Sequence, residues 1–423
     1  MARTNLDLNR GLITARGRDS CAPRLLLRRR FFGMAGGWGT AALLSGCAAP
    51  GRGPAVPITQ TTQASVLGLP NERFFPFSGS GALQAEFQEA LARRRMALGL
   101  VYGEPTPELQ LLAISGGGED GAFGAGLLCG WTVQGSRPEF ELVTGVSTGA
   151  LSAPFAYLGS SYDPQLRAVY TELTPNHILK TRYLTAALFN DALADNSPLY
   201  RTISRFLTPE MLAAMAQAYR DGRLLFIGST DLDAQQPVIW NVGAIAASGH
   251  PRALDTIRRL LLASAAIPAA FPPTMFDVTV DGKAYQEMDV DGGAFVQTFL
   301  YPRSVTAQRR IRMANGQPVP PAVAYIIRNG QLAPEWASVD RQTLDIASRA
   351  ISTMITASGY NDIIRIYNTT QKDGVDFNLA YIGSDFNMKL PAPFDPGYMR
   401  ALFNYGYQRA LQNNEWSKTP PIW

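Results

Sequence analysis

The chain has 423 residues, 46% of them hydrophobic and 10% aromatic, which excludes a disordered chain and suits one large or two ordinary globular domains. Its formal net charge of +4 comes from the front: residues 1–46 hold eight arginines against Asp7 and Asp19, so 38 basic and 34 acidic residues become 30 and 32 in the remainder. That remainder has no basic run longer than Arg93-Arg94-Arg95, so nucleic acid is not expected as a partner.

The first element is the stretch "RLLLRRRFFGMAGGWGTAALLSGCAAP" at residues 24–50. A basic start, an apolar run and a small-residue ending predict a cleaved export signal over residues 1–46, because the run is too short to span about 30 Å of hydrocarbon as a helix. Arg28-Arg29-Arg30-Phe31-Phe32 resembles the twin-arginine export motif, and Leu44-Ser45-Gly46-Cys47 resembles the lipobox of bacterial lipoproteins. The second resemblance implies that Cys47 is lipidated and becomes the new N-terminus, a membrane anchor held by several acyl chains. Ala48 is not the aspartate that retains lipoproteins at the inner membrane, so the expected location is the periplasmic side of an outer membrane. An uncleaved anchor or a plain signal is the competing reading. Of the 3 cysteines, only Cys129 is then left unmodified in the mature chain, so no intramolecular disulfide can form and Cys129 reads as a buried small hydrophobe.

Residues 47–108 follow as a Pro/Gly-rich tether and a short amphipathic helix, with Leu83, Phe87 and Leu91 at i, i+4, i+8. From residue 109 the pattern alternates. "LQLLAIS" reads as a buried strand, "AFGAGLLCGWTVQG" as a helix, "FELVTG" as a strand and "GALSAPFAYLGSS" as a helix. "RLLFIGSTDL" and "QPVIWNVGAIA" are further strand candidates, and "ALDTIRRLLLASAAI" is a helix. "VAYIIRNG" and "FNLAYIG" are late strands around a long helical segment. Such alternation predicts an α/β fold, a mostly parallel central sheet sandwiched by helices. Residues 109–304 form its core and residues 305–423 complete the same domain.

Three segments at strand ends carry chemistry. Ser115-Gly116-Gly117-Gly118-Glu119-Asp120-Gly121 joins a strand to a helix, where bare backbone N–H groups at a helix N-terminus can face one anion. Gly116, Gly118 and Gly121 also fit a dinucleotide fingerprint, but the next strand offers no acidic residue at its end to hold a ribose. Gly145-Val146-Ser147-Thr148-Gly149 places a serine in a tight strand-to-helix turn with glycines relieving the crowding, the form of a nucleophile elbow. Asp289-Val290-Asp291-Gly292-Gly293 supplies a carboxylate at an ordinary-looking turn, able to act as a general base if it reaches the serine.

In this order the segments resemble the patatin-like phospholipases, with "LLASAAIPAAFPP" (261–273) and "STDLDAQQPVIWN" (229–241) adding to the likeness. The resemblance implies a three-layer α/β/α fold and a Ser–Asp dyad without histidine. Ser147 would be the nucleophile and Asp291 its base. Gly116, Gly117, Gly118 and Gly121 would build the oxyanion hole, Gly145 and Gly149 the elbow, and Gly292 and Gly293 the turn of the acid. The implied substrate is a lipid or acyl ester, of phospholipase A or lysophospholipase type, and no cofactor or metal is expected. One position departs: the family often carries Arg or Lys where this chain has Asp120. Two other readings stay open, a Ser-His-Asp esterase using His177 or His250, the only histidines, and a silent lipid-binding or scaffolding lipoprotein.

Overall fold

The computed structural model describes residues 51–181 and 192–421. The expected export signal and the expected lipidation site at Cys47 lie outside them. In chain order the strands are β1 (Arg73–Phe74), β2 (Leu109–Ile114), β3 (Leu142–Val146), β4 (Lys180–Thr181), β5 (Ala194–Asp195), β6 (Leu224–Asp231), β7 (Gln236–Asn241), β8 (Thr274–Val280), β9 (Lys283–Asp291), β10 (Ala322–Arg328) and β11 (Asp376–Tyr381). The described helices are α1 (Gly81–Ala97), α2 (Gly121–Gln134), α3 (Thr148–Leu158), α4 (Asp163–Thr171), α5 (Ser197–Phe206), α6 (Pro209–Arg220), α7 (Val242–Ala247), α8 (Ala253–Ser264), α9 (Ala307–Ala314), α10 (Thr343–Asp373) and α11 (Pro396–Leu411).

The main sheet runs β1-β7-β6-β3-β2-β10-β11, with the β8–β9 hairpin attached to β6 through β9. Strands β6, β3, β2, β10 and β11 are mutually parallel, and the β7, β1 and β9 pairings are antiparallel. Strands covered on both faces must be apolar on both. Accordingly Leu112 and Ile114 of β2 pack with α2, α3, α8 and α11, while Leu111 and Ala113 pack with α1 and α10. This is the expected three-layer α/β/α arrangement, in which β10 inserts between β2 and β11; Ala48–Trp423 form one compact unit.

Three local readings differ from the structure. The Pro/Gly-rich segment is no free tether. Ala64, Val66, Leu67 and Phe75 are buried, β1 pairs with β7, and Arg73 makes a buried ion pair with Glu287. The Glu72 carboxylate accepts the N–H groups of Val66 (2.6 Å) and Leu67 (2.9 Å), which pins the segment where its composition suggested extension. The residues before Asp289, where no strand is expected, form the β8–β9 hairpin, turning at Asp281-Gly282 with φ of 48° and 75°, left-handed values that such a turn favours. The apolar run after Trp240 stops being a strand at Asn241, whose side chain accepts the Ala244 N–H at 3.2 Å and caps α7.

Candidate active site

The site follows from how one strand edge is shared. Strand β7 takes one side of β6 along Phe226–Asp231, so β3 and β9 divide the other. Val146 of β3 stands opposite Gly228, and Asp291 of β9 stands opposite the next residue, Ser229. Because β3 runs parallel to β6 and β9 antiparallel to it, the two strands end head to head. Ser147 leaves one strand and Asp291 closes the other at the same point. Bare backbone permits the crowding: a Cβ on Gly292 would stand 2.5 Å from the Gly228 carbonyl oxygen.

Ser147 sits between β3 and α3 with φ 55° and ψ −124°, a left-handed conformation rare for a residue with a side chain and worth about 1–3 kcal/mol of strain. The surroundings hold it there. Its N–H donates to Ser264 Oγ at 3.0 Å, and the Ser264 hydroxyl donates to the Gly228 carbonyl at 2.6 Å, tying the elbow to the strand junction. A Cβ on Gly145 would lie 2.5 Å from the Gly149 carbonyl oxygen, so the turn closes only around glycine.

Asp291 is buried. Its Oδ1 accepts the Gly293 N–H at 2.7 Å, while Oδ2 is buried without a formed hydrogen bond. Burial pushes the carboxyl up to about 7; the neighbouring Ser147 hydroxyl and the Gly293 N–H pull it down less strongly. The Asp291 carboxyl beside the serine hydroxyl therefore has one oxygen anchored and the other open. A second buried carboxyl two residues upstream, Asp289, is engaged elsewhere by the Ser229 hydroxyl at 2.5 Å.

The glycine loop packs directly on Ser147: a Cβ on Gly116 would be 3.1 Å from the Ser147 Cβ. The four glycines differ in what they offer. The Gly116 N–H already donates to the Gln297 carbonyl at 3.0 Å, and the Gly121 N–H turns back to Gly118 and Glu119 at the start of α2. Among the described residues, the N–H groups of Gly117 and Gly118 carry no backbone hydrogen bond. The pair available to an oxyanion is thus Gly117 and Gly118, and Gly116 and Gly121 serve as close-approach positions instead.

Residues without any motif hold this loop. The Asn329 N–H donates to Ser115 Oγ at 2.8 Å, its Nδ2 donates to the Ser115 carbonyl at 2.9 Å, and its Oδ1 accepts the Gly124 N–H at 3.0 Å. Arg328 Nη1 reaches Ser115 Oγ (3.3 Å) and the Gly116 carbonyl (3.2 Å). Gln297 Nε2 donates to the Gly293 carbonyl at 2.8 Å, so one side chain braces the acid's turn while its backbone braces the glycine loop. Sequence reasoning missed all three, and also Ser264, because each acts from a distant segment as a single residue. Asp120, the departure noted in the sequence, accepts the Tyr398 hydroxyl at 2.7 Å, and burial pushes it up to about 6.

An apolar cavity opens at Ser147 and Gly118 and runs between α3, α5, α6 and α8. Phe155, Leu199, Ile203, Met211 and Leu261 line it, and Glu119 is the one charged residue among its described walls. Such a predominantly apolar lining accepts a hydrocarbon chain. The histidines lie elsewhere. His177 Nδ1 is within 2.9 Å of Thr174 Oγ1, and His250 Nδ1 accepts the Arg252 N–H at 3.1 Å; neither lines the cavity. Cys129 is buried and free, as a small hydrophobe.

Residues 112–300 match the family model described as Patatin-like phospholipase. No curated protein matches the chain.

Proposed function

The chain carries a patatin-like phospholipase domain, of a family of lipid acyl hydrolases, and from that premise we propose that it cleaves lipid acyl esters with Ser147 as nucleophile and Asp291 as its general base. In the first half-reaction Ser147 Oγ bonds to the ester carbonyl carbon while its proton passes to Asp291 Oδ2. The carbonyl oxygen becomes an anion received by the Gly117 and Gly118 N–H groups, donors worth about 3–4 kcal/mol each in such sites. Collapse breaks the bond to the alcohol, which leaves with the proton from Asp291. Water then repeats the sequence on the acyl-serine, releasing the fatty acid and restoring the hydroxyl.

The observation that supports this reading best is the Asp291 carboxyl itself: one oxygen fixed by Gly293, the other open, beside a serine held in a strained turn. The apolar cavity supports an acyl chain as the part of the substrate that is buried. We also propose anchoring through a lipidated Cys47, which would hold the enzyme at its substrate's surface.

The test is a panel of acyl esters, phospholipids and lysophospholipids with protein lacking residues 1–47, alongside fluorophosphonate labelling. Hydrolysis and labelling that both vanish in Ser147→Ala support the reading. A wild-type protein that takes no label and releases no fatty acid from any member of the panel is instead a binding lipoprotein. Cys47→Ser in the full chain should move the protein out of the membrane fraction, and unchanged retention would discard the anchor.

A further inference from the structure

Arg328 closes β10 with only 4% of its surface exposed. Among the described residues no carboxylate stands within ion-pair distance of it; Asp120 and Asp362 act on it only through space. Its Nε is buried without a partner. Two glycines make room for it: a Cβ on Gly330 or on Gly359 would lie 3.3 or 2.9 Å from the guanidinium carbon. A buried cation lacking a paired anion is costly, and this one is cradled. The hydrogen bonds it does make go to Ser115 Oγ and to the Gly116 carbonyl.

That carbonyl belongs to the peptide group joining Gly116 to Gly117. In a trans peptide the C=O and the N–H point in opposite directions, so a donor holding the oxygen fixes the N–H on the far side. That N–H is Gly117's, one of the two free donors beside Ser147. A cation on the oxygen also polarises the peptide and strengthens what its N–H donates, as in any chain of hydrogen bonds. Building on the reading of Ser147 as nucleophile, we propose that Arg328 is the positioning residue of the oxyanion hole, orienting and polarising the Gly116–Gly117 peptide from behind. Asp120 and Asp362 answer its charge only from a distance, and a negative tetrahedral oxygen on the far side of the peptide adds to that, so its benefit falls on the transition state and not on substrate binding.

The experiment compares Arg328→Gln, a shorter neutral side chain, and Arg328→Lys, a cation, with wild type on a water-soluble butyrate ester. Three further readouts accompany kcat and KM: thermal unfolding, affinity for an alkyl trifluoromethyl ketone, which forms an anionic adduct with the serine, and affinity for an alcohol of the same chain length, which fills the cavity without forming an anion. Arg328→Gln should lower kcat by about 10–100-fold, on the scale of a damaged oxyanion donor. It should weaken the ketone by a similar factor and leave KM and alcohol binding within about twofold, with Arg328→Lys recovering a large part of the loss. Wild-type kcat and ketone affinity in a folded Arg328→Gln protein would overturn the proposal, as would losses shared equally by the alcohol. Should the Gln variant not fold, the Lys variant decides: ketone affinity must track kcat, and a fall in kcat with unchanged ketone affinity refutes the role. A wild-type protein that neither turns over nor takes a fluorophosphonate fails at the earlier reading, before Arg328 is at issue.

Discussion

Ser147 and Asp291 meet because their strands end on adjacent residues of β6, Val146 opposite Gly228 and Asp291 opposite Ser229. Their proximity is thus a property of the sheet register and does not depend on a loop. Asp291→Asn, which keeps the shape and the Gly293 contact, should fold and lose hydrolysis by several orders of magnitude, close to Ser147→Ala. Alanine at both His177 and His250 should keep nearly full activity. Initial rates on one ester decide this, and a dead double-histidine variant would revive a triad.

The Asp291 carboxyl must be ionised to accept a proton. With its value raised to about 7 by burial, kcat/KM should rise with pH through an apparent pKa near 7 and level off above it. A rate that stays flat from pH 5 to 8 would remove Asp291 as the base. The same shift has an opposite sign for stability. The folded state holds this proton up to about pH 7 and the unfolded chain only to about 4, so stability falls as pH rises across that window. Asp291→Asn should therefore unfold at higher temperature than wild type at pH 8, with the gain shrinking toward pH 4, a difference read by calorimetry at the two pH values.

Ser264 tests how firmly the elbow must be held. Its hydroxyl accepts the Ser147 N–H and donates to Gly228. Ser264→Ala leaves the Ser147 N–H and one bond to the Gly228 carbonyl unmade, a loss of about 1–3 kcal/mol for each group left unsatisfied. Thermal unfolding should show that drop together with a reduced kcat. A variant as stable as wild type would mean that the turn is held by its glycines alone.

The cavity makes a prediction about chain length. Ile203 projects from α5 into it, and Ile203→Trp should obstruct the apolar channel away from Ser147. Competition between a butyrate and a palmitate ester should shift at least tenfold toward the shorter chain. An unchanged ratio would mean that the acyl chain lies outside the cavity.

The candidate site residues were legible because they stand in short local patterns, glycine beside serine or aspartate at a strand end. The sheet was legible wherever a strand is apolar on both faces. The β8–β9 hairpin was not, since every second residue of β8 faces outward and dilutes the apolar signal, though Asp281-Gly282 is itself a turn signal that a closer look at alternation could use. Arg328, Asn329 and Gln297 were illegible in a stronger sense. Arg328 meets Gly116 across 212 residues of chain, and no spacing rule links such positions. The packed segment before β1 was misread because composition reports flexibility, whereas Glu72 and Arg73 anchor it by individual bonds.

The insertion of β10 between β2 and β11 bears on how the protein can be dissected. A fragment cut at residue 300, where the family match stops, would strip β2 of the neighbour that pairs Leu109–Ile114 with Ala322–Ile327. The bared edge would sit beside apolar faces built for α10 and α11, a template for intermolecular strand addition. Such a truncation should be recovered as insoluble aggregate, and any minimal version of the enzyme has to extend through the C-terminal helix.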